Sequence, residues 1–395
     1  PAILQEAIKN IFMRKYIFIF SFLFMVSCHE IKDTNVINVK EINFNEMKSE
    51  SPETILKCSF LALETNDSCL VGSMKAIQET DSFLLISNGQ DDNLLAFNKQ
   101  GRWITQVGQS GNGPGEYLTT TTFSINSKKR CITIFDDEQK KLLYYSLPDF
   151  SFIKELRFPS FISSCCIETE NGFVWYNEAF EDSELSGCYF FTTDKSGELK
   201  NHFVTKEFKS GYLTGATYML YKLGEDIYGY TPFDMTVYHL TLDKATPVYH
   251  FNIEGYTPPS IEYLNKISNR GQSSSYFKYL SDSNYISYYD VVETNNAICV
   301  VYIINKKNFI CIYDKKNDKS YSYSLDTLAK KLQLGKIKYF IPQDIDGNFL
   351  AVLDAMDLKE LEERGYEFNP ELVTILKQTD AESNPIICKI RIKDL

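Results

Sequence analysis

A short strand that ends in a polar turn recurs along the chain as AFNKQGRW, YYSLPDFSFI, FTTDKSGEL, HLTLDKATPVY and CIYDKKNDKSYSY. Anchors in these segments fall at Phe97, Tyr145, Thr192, Thr241 and Tyr313, at intervals of 48, 47, 49 and 72 residues. A period of about 40–50 residues means one supersecondary unit per repeat, which buries its apolar faces only by stacking on its neighbours. The surrounding runs (SFLLISN, NLLAFN, RCITIFD, KLLYYSL, AICVVYI, NFICIYD) alternate, are rich in aromatic and β-branched residues, and are punctuated by Asn-Gly, Asp-Gly and Lys/Asn-rich turns. Those are strand signals. The fourth interval is long because residues 256–284 insert a helix-like stretch, PPSIEYLNKISN, and a Ser-rich loop. A sixth unit begins at FLAVLDA, is interrupted by a charged helical segment from Asp357 to Asp380, and closes with ICKIRI near Arg391. Six units of about four strands each predict an all-β fold, a six-bladed β-propeller with short helical insertions. A large irregular sandwich is the alternative. A propeller must also close its ring, and the segment TILKCSFLAL is expected to supply the missing strand of the last blade.

The first residues read as an address. Arg14 and Lys15 precede an apolar run from Tyr16 to Val26, followed by Ser27 and Cys28. A basic start, an apolar core of this length and a small residue before the cut describe a secretory signal peptide. The run is short of the ~20 apolar residues that span a bilayer. Met25-Val26-Ser27-Cys28 resembles the bacterial lipobox, with Met25 where Leu is usual. That resemblance implies lipidation of Cys28 and a membrane partnership through the lipid. The predicted organisation is an upstream extension plus signal peptide over 1–28, a polar tether over 29–50, and the propeller over 51–395.

Nine of the 10 cysteines remain after Cys28, an odd number scattered through apolar runs, unlike a disulfide framework. AICVVYI and NFICIYD read as a hairpin turning at Lys306-Lys307, with Tyr302 opposite Cys311. Alternation then sends Cys299 and Cys311 to opposite faces, so they are expected not to bond. No CxxC pair or Cys/His spacing reads as a zinc site, and neither a cofactor nor a metal is expected.

Between the first two units stands Gly108-Gln-Ser-Gly111-Asn-Gly113-Pro114-Gly115-Glu116-Tyr117. Four glycines and a proline fix a tight path with positive φ where the chain passes between blades. Glu116 is expected to accept hydrogen bonds from loop amides, and Tyr117 to pack over the next blade. The functional alternative, a phosphate cradle, is disfavoured because the loop precedes a strand and lacks a following Lys-Ser/Thr. With the preceding FNKQGRWITQVG, and with Leu63-Glu64-Thr65 upstream, this segment resembles the NHL-like six-bladed propeller lipoproteins of gut Bacteroidetes. The resemblance covers residues 60 to 125 specifically. It implies a six-bladed propeller on an exported, outer-membrane lipoprotein of the cell envelope and carries little chemistry.

The remaining signals are weaker. Lys plus Arg is 41 against 52 for Asp plus Glu, a net charge of −11 without a basic tract, which disfavours nucleic acid as a partner. Asp344-Ile-Asp346-Gly347-Asn348 faintly resembles a calcium loop but lacks its third acidic position and terminal Glu, and reads as a hairpin turn. Asp136-Asp137-Glu138 is expected on a solvent-facing turn, as are Glu178, Glu181 and Asp182. His202, His239 and His250 have no mutual spacing that suggests ligation. The chain carries 28 Phe and 26 Tyr, and the tyrosines least explained by strand packing are Tyr276, Tyr279, Tyr285 and Tyr288, in or beside the insertion. Aromatic platforms suit sugar rings and peptides. Two functions follow as expectations. The first is a non-enzymatic recognition module of the cell envelope whose partner is a glycan, a peptide or an envelope protein. The second is a hydrolase or lyase on polysaccharide or peptide, with carboxylates converging in the central channel and one of raised pKa.

Overall fold

A computed structural model describes residues 39–45, 50–120, 122–126, 128–158, 165–177, 185, 187–208, 219–268 and 273–393, without the side chains of 273–275. Cys28, Glu178, Glu181 and Asp182 lie outside the described residues. The chain starts with β1 (Lys40–Phe44), a short helix α1 (Pro52–Ile55) and β2 (Leu56–Ala62). Blade one is β3 (Met74–Glu79), β4 (Phe83–Asn88), β5 (Asn93–Asn98) and β6 (Trp103–Val107). Two short strands, β7 (Gln109–Ser110) and β8 (Glu116–Tyr117), pair in parallel inside the following connection. Blade two is β9 (Thr122–Asn126), β10 (Cys131–Asp136), β11 (Lys141–Ser146) and β12 (Phe152–Arg157). Blade three is β13 (Cys165–Glu168), β14 (Gly172–Tyr176), β15 (Cys188–Asp194) and β16 (Leu199–Thr205). Blade four is β17 (Leu220–Leu223), β18 (Asp226–Tyr230), β19 (Thr236–Leu240) and β20 (Ala245–Ile253).

The insertion then contributes α2 (Ile261–Ser268) and α3 (Ser273–Ser281). Blade five is β21 (Tyr288–Glu293), β22 (Ala297–Ile304), β23 (Lys307–Asp314) and β24 (Lys319–Ser324), followed by α4 (Leu325–Lys331). Blade six holds β25 (Tyr339–Ile345), β26 (Asn348–Leu353) and β27 (Ile386–Ile392), with α5 (Ala355–Glu363) and α6 (Pro370–Leu376) between the last two. Its fourth strand is β2, antiparallel to β27 from Leu56 opposite Ile392 to Ala62 opposite Ile386. The ring therefore closes with the strand that the sequence nominated, and the fold is the expected six-bladed β-propeller.

Strand alternation builds the core. On β4, Leu84 and Ile86 pack into a cluster shared with blade six, whereas Leu85 packs into one shared with blade two. The adjoining β5 repeats this, with Leu95 and Phe97 on one face and Leu94 and Ala96 on the other. Each face of a blade thus meets a different neighbour, so both faces are apolar; the second strands of blades two and three are buried throughout, and that of blade one in all but its first residue. Each large side chain so buried contributes about 1.5–3 kcal/mol.

Antiparallel order assigns the connections to two faces. The hairpins from first to second and from third to fourth strand lie on one side, which we term the turn face; they are short. The links from second to third strand and from blade to blade lie on the opposite side, the loop face. The glycine motif, the 256–287 insertion and the α5–α6 excursion all fall there.

Several expectations are corrected. Residues 40–44, read as part of the tether, add a fifth strand in parallel to the outer edge of blade four, with Ile42 and Phe44 buried against Phe251. Two apolar residues at spacing two supply one buried face, which a polar reading of the segment overlooked. The Ser-rich loop of the insertion is in part helix α3: Tyr276 and Leu280, four residues apart, bury against Leu264 and Ile267 of α2. The hairpin of blade five turns at Asn305-Lys306, so Val300, not Tyr302, lies opposite Cys311. A shift of two residues leaves the faces unchanged, and Cys299 pairs with Ile312 on the other face. All nine cysteines among the described residues are free thiols.

Candidate functional sites in the channel and beneath the insertion

The first strands of all six blades line a central cavity of about 840 Å³ that reaches the turn face. Glutamines stitch its wall: Gln343 Oε1 of blade six accepts from Ile77 N of blade one at 2.5 Å. Gln78 of blade one donates to Phe123 O of blade two at 2.8 Å and accepts from Ile125 N at 3.1 Å.

Alternate blades carry one repeated device at this mouth. Glu79, Glu168 and Glu293 each end the first strand, and Thr80, Thr169 and Thr294 follow. Each threonine hydroxyl accepts the amide that closes the turn, from Phe83 (2.9 Å), Gly172 (3.1 Å) and Ala297 (3.0 Å). At the end of the third strand, Asn98, Asp194 and Asp314 accept amides of the following turn, for example Ser196 N and Lys316 N at 2.9 Å each. The next residue is Lys99, Lys195 or Lys315, which crosses the second strand to the blade's own glutamate. The pair is 2.7 Å for Lys195–Glu168 and 2.5 Å for Lys315–Glu293, and both lysines also donate to the carbonyl of the threonine, at 2.6 and 2.7 Å. Glu293, whose side chain is 1% exposed, further accepts from Tyr221 (2.7 Å) and Tyr249 (3.0 Å) of blade four. Sequence reading missed this device because it recurs every second blade. Its signal is a Glu-Thr before one turn and an Asn/Asp-Lys before the next.

Glu79, Glu168, Glu225 and Glu293 of the channel are each paired with a lysine, whereas Asp344 of blade six and Glu170 make no ion pair among the described residues. Burial pushes the Asp344 carboxyl up, Glu79 and Asp346 add to this, and the Gly347 amide opposes it. Burial acts in the same direction on Glu168, but Lys195 and Lys129 outweigh it and hold that carboxyl below its ordinary range. Among the described residues no group of three His, Cys, Asp or Glu side chains is placed to hold a metal ion.

The glycine motif lies on the loop face and its polar groups are engaged internally. The Gly113 amide donates to Glu116 Oε2 at 2.8 Å, Gly111 N to Tyr117 O at 3.0 Å, and Glu116 N to Gly113 O at 3.1 Å. With these amides engaged, a phosphate has little to bind. Gly108 and Gly115 adopt φ of 67° and 73°, and a Cβ on Gly115 would sit 2.7 Å from the Phe152 ring. Pro114 lies between the last two glycines of the turn. Tyr117 is fully buried, and its hydroxyl donates to Val107 O at 2.7 Å. Asp136, expected on a solvent-facing turn, is buried instead: its carboxylate accepts from Leu118 N at 2.8 Å and anchors the end of this loop.

A second cavity, of about 420 Å³, opens on the loop face between blades four and five, under α3. Its walls are Met219, Phe233, Tyr276, Phe277, Tyr288 and Ile303, with Lys278 beside them. Of the four tyrosines singled out from sequence, Tyr276 and Tyr288 meet here. Tyr279 is exposed on α3, and Tyr285 packs on Tyr263 with ring centroids 4.9 Å apart; neither lines the cavity. Tyr276 is 2% exposed and belongs to the small core of the insertion, stacked on Phe208, so it forms a wall and not an open platform. Below the cavity, the hydroxyls of Tyr288 and Tyr230 donate to Asp290 at 3.0 and 3.1 Å. Burial pushes the Asp290 carboxyl up to about 6 against those two hydroxyls. Met219, Phe233 and Ile303 come from three distant elements and were not legible as a group.

A closed ring of six blades with its insertions gathered on one face defines the class: a six-bladed β-propeller with a channel and a side cavity. The family model described as 6-bladed beta-propeller (DUF5128) matches residues 28–351, and the chain belongs to that family. It is similar to the solved structure of a "putative exported protein" of Bacteroides fragilis, at 39% identity and a TM-score of 0.86, over 90% of this chain and 100% of that one. A member of the duf4221 family from Bacteroides vulgatus shares the fold at 12% identity and a TM-score of 0.51, over 86% of this chain and 99% of that one. No curated protein matches the sequence.

Proposed function

We propose that this chain is an exported propeller of the bacterial cell envelope, NHL-like in kind and tethered to the outer membrane through lipidated Cys28, that acts as a non-enzymatic recognition module. The observation that carries the reading is the cavity between blades four and five. It has the volume of a small-ligand site, about 300–1,000 Å³, and mostly apolar walls. The exported description of the Bacteroides fragilis protein supports the address, as does the signal-like segment ending at Cys28. Its ligand is a glycan, a peptide or a group presented by an envelope protein that buries apolar surface there. The test is a fluorescence titration of the full chain with the uncharged apolar reporter N-phenylnaphthylamine. Saturable binding that is lost on Ser281→Trp, a substitution that fills the cavity from the half-buried end of α3, supports the reading. A signal indifferent to that substitution refutes it.

The second reading, a hydrolase or lyase working in the channel, is favoured by one observation: the Asp344 carboxyl, in the channel wall, is raised by burial. Turnover of an envelope polysaccharide or peptide that disappears with Asp344→Asn would establish it. Turnover retained in that variant would exclude Asp344 as the acid.

A further inference from the structure

Besides being apolar, the cavity under α3 is lined by four hydroxyls that already donate within the protein. Tyr289 donates to Thr231 O at 2.6 Å and accepts from Met235 N at 3.1 Å. Tyr288 donates to Asp290 at 3.0 Å, Ser287 Oγ to Ile303 O at 3.1 Å, and Ser281 Oγ to Lys278 O at 3.1 Å. The hydroxyl protons of Tyr288, Tyr289, Ser281 and Ser287 are thus already spent within the protein. A sugar ring placed inside would leave its own hydroxyls unsatisfied, each at a cost of about 1–3 kcal/mol. A hydrocarbon chain leaves nothing unsatisfied and gains about 0.8 kcal/mol per buried CH₂.

One formal charge, a cation, lies among the described residues that line the cavity, and the Asp290 carboxyl sits below it, behind the Tyr288 hydroxyl. Lys278 carries that charge, and it is exposed on α3 between Phe277 and Tyr279. Asp282, on the next turn of the chain, is paired with Lys306 of the blade-five hairpin, which keeps that carboxylate from competing for Lys278.

We infer that the cavity takes the hydrocarbon chain of a single-chain carboxylate, a free fatty acid, with its anionic head at Lys278. This rests on the reading of the cavity as the recognition site and narrows its ligand class away from glycans.

The experiment is displacement of N-phenylnaphthylamine from the full chain by dodecanoate, dodecanol and maltotriose, in the parent protein and in Lys278→Ala. All ligands are kept below micelle-forming concentrations. Dodecanoate is expected to displace the reporter about fivefold more tightly than dodecanol, the worth of one half-exposed ion pair. Lys278→Ala should remove that difference while leaving dodecanol unchanged, and maltotriose should displace nothing. If the reporter binds but the carboxylate has no advantage, or the advantage survives Lys278→Ala, the ligand assignment is overturned and the recognition site stands. Displacement by maltotriose in preference to both chains overturns the assignment in the same way. If the reporter does not bind at all, the reading of the site itself fails.

Discussion

The Glu-Lys device repeated in blades one, three and five makes a graded prediction. The three glutamates are 20%, 8% and 1% exposed in the order Glu79, Glu168, Glu293. Removing a lysine strands its partner, and the cost rises with how completely that partner is withdrawn from water. Breaking a buried pair costs about 3–5 kcal/mol, and the two tyrosine hydroxyls that remain on Glu293 place Lys315→Met near the lower end, about 3 kcal/mol. Glu168 keeps Lys129 at 2.9 Å, so Lys195→Met should cost about 1–2 kcal/mol. Glu79 is the most exposed of the three, and Lys99→Met should cost about 1 kcal/mol or less. An unfolding entropy of about 2.1 cal/mol/K per residue over roughly 350 folded residues makes about 0.7 kcal/mol per degree, so Lys315→Met lowers Tm by about 4 °C. Circular dichroism melts at one fixed scan rate read the series directly. The double variant Lys315→Met/Glu293→Gln should regain part of the loss, because the uncompensated charge is then gone. A drop of less than 1 °C for Lys315→Met, or an order that does not follow burial, would refute the assignment of these pairs as buried staples.

Other outcomes follow from single residues. Asp290 has a folded-state carboxyl near 6, above its unfolded value, so the folded state binds the proton more tightly. Stability should therefore fall as pH rises from about 4 to about 6, by about 1–3 kcal/mol, and urea unfolding of Asp290→Asn should show that slope flattened. Gly115→Ala meets both a φ of 73° and the Phe152 ring, and should cost about 2 kcal/mol in the same unfolding assay; a neutral result would contradict the loop geometry. Burial raises the thiols of Cys166, Cys299 and Cys388, whereas Cys58 is half-buried. A thiol reagent should modify Cys58 ahead of these three in the folded protein, and equal rates would contradict the burial.

The blade count and ring closure were legible because both follow from local signals. Strand alternation is written residue by residue, and a strand-like segment far from the last repeat has one vacant edge to fill. The fifth strand of blade four was not legible, since Ile42 and Phe44 are buried only once the segment pairs with a strand about 200 residues on. Helix α3 was hidden by its serines, which in isolation favour turns, and is held by Tyr276 and Leu280 docking on α2. At the candidate site, Tyr276 and Tyr288 could be chosen because they sat in or beside an insertion. Tyr279 and Tyr285 looked identical in sequence; helix phase turns Tyr279 outward on α3, and Tyr285, past the end of that helix, packs on Tyr263 instead. The Glu-Thr and Asn/Asp-Lys pairs are visible in the sequence, but at twice the blade period, and their meeting depends on strand register.

The central claim is that recognition takes place between blades four and five and not in the channel. Crystals of the full chain soaked in ω-bromododecanoate test it most directly, because the bromine marks its own position by anomalous scattering. One strong peak is expected among Phe233, Tyr276 and Ile303, absent in Ser281→Trp. A peak in the central channel beside Asp344, or none in the cavity at saturating ligand, would contradict it.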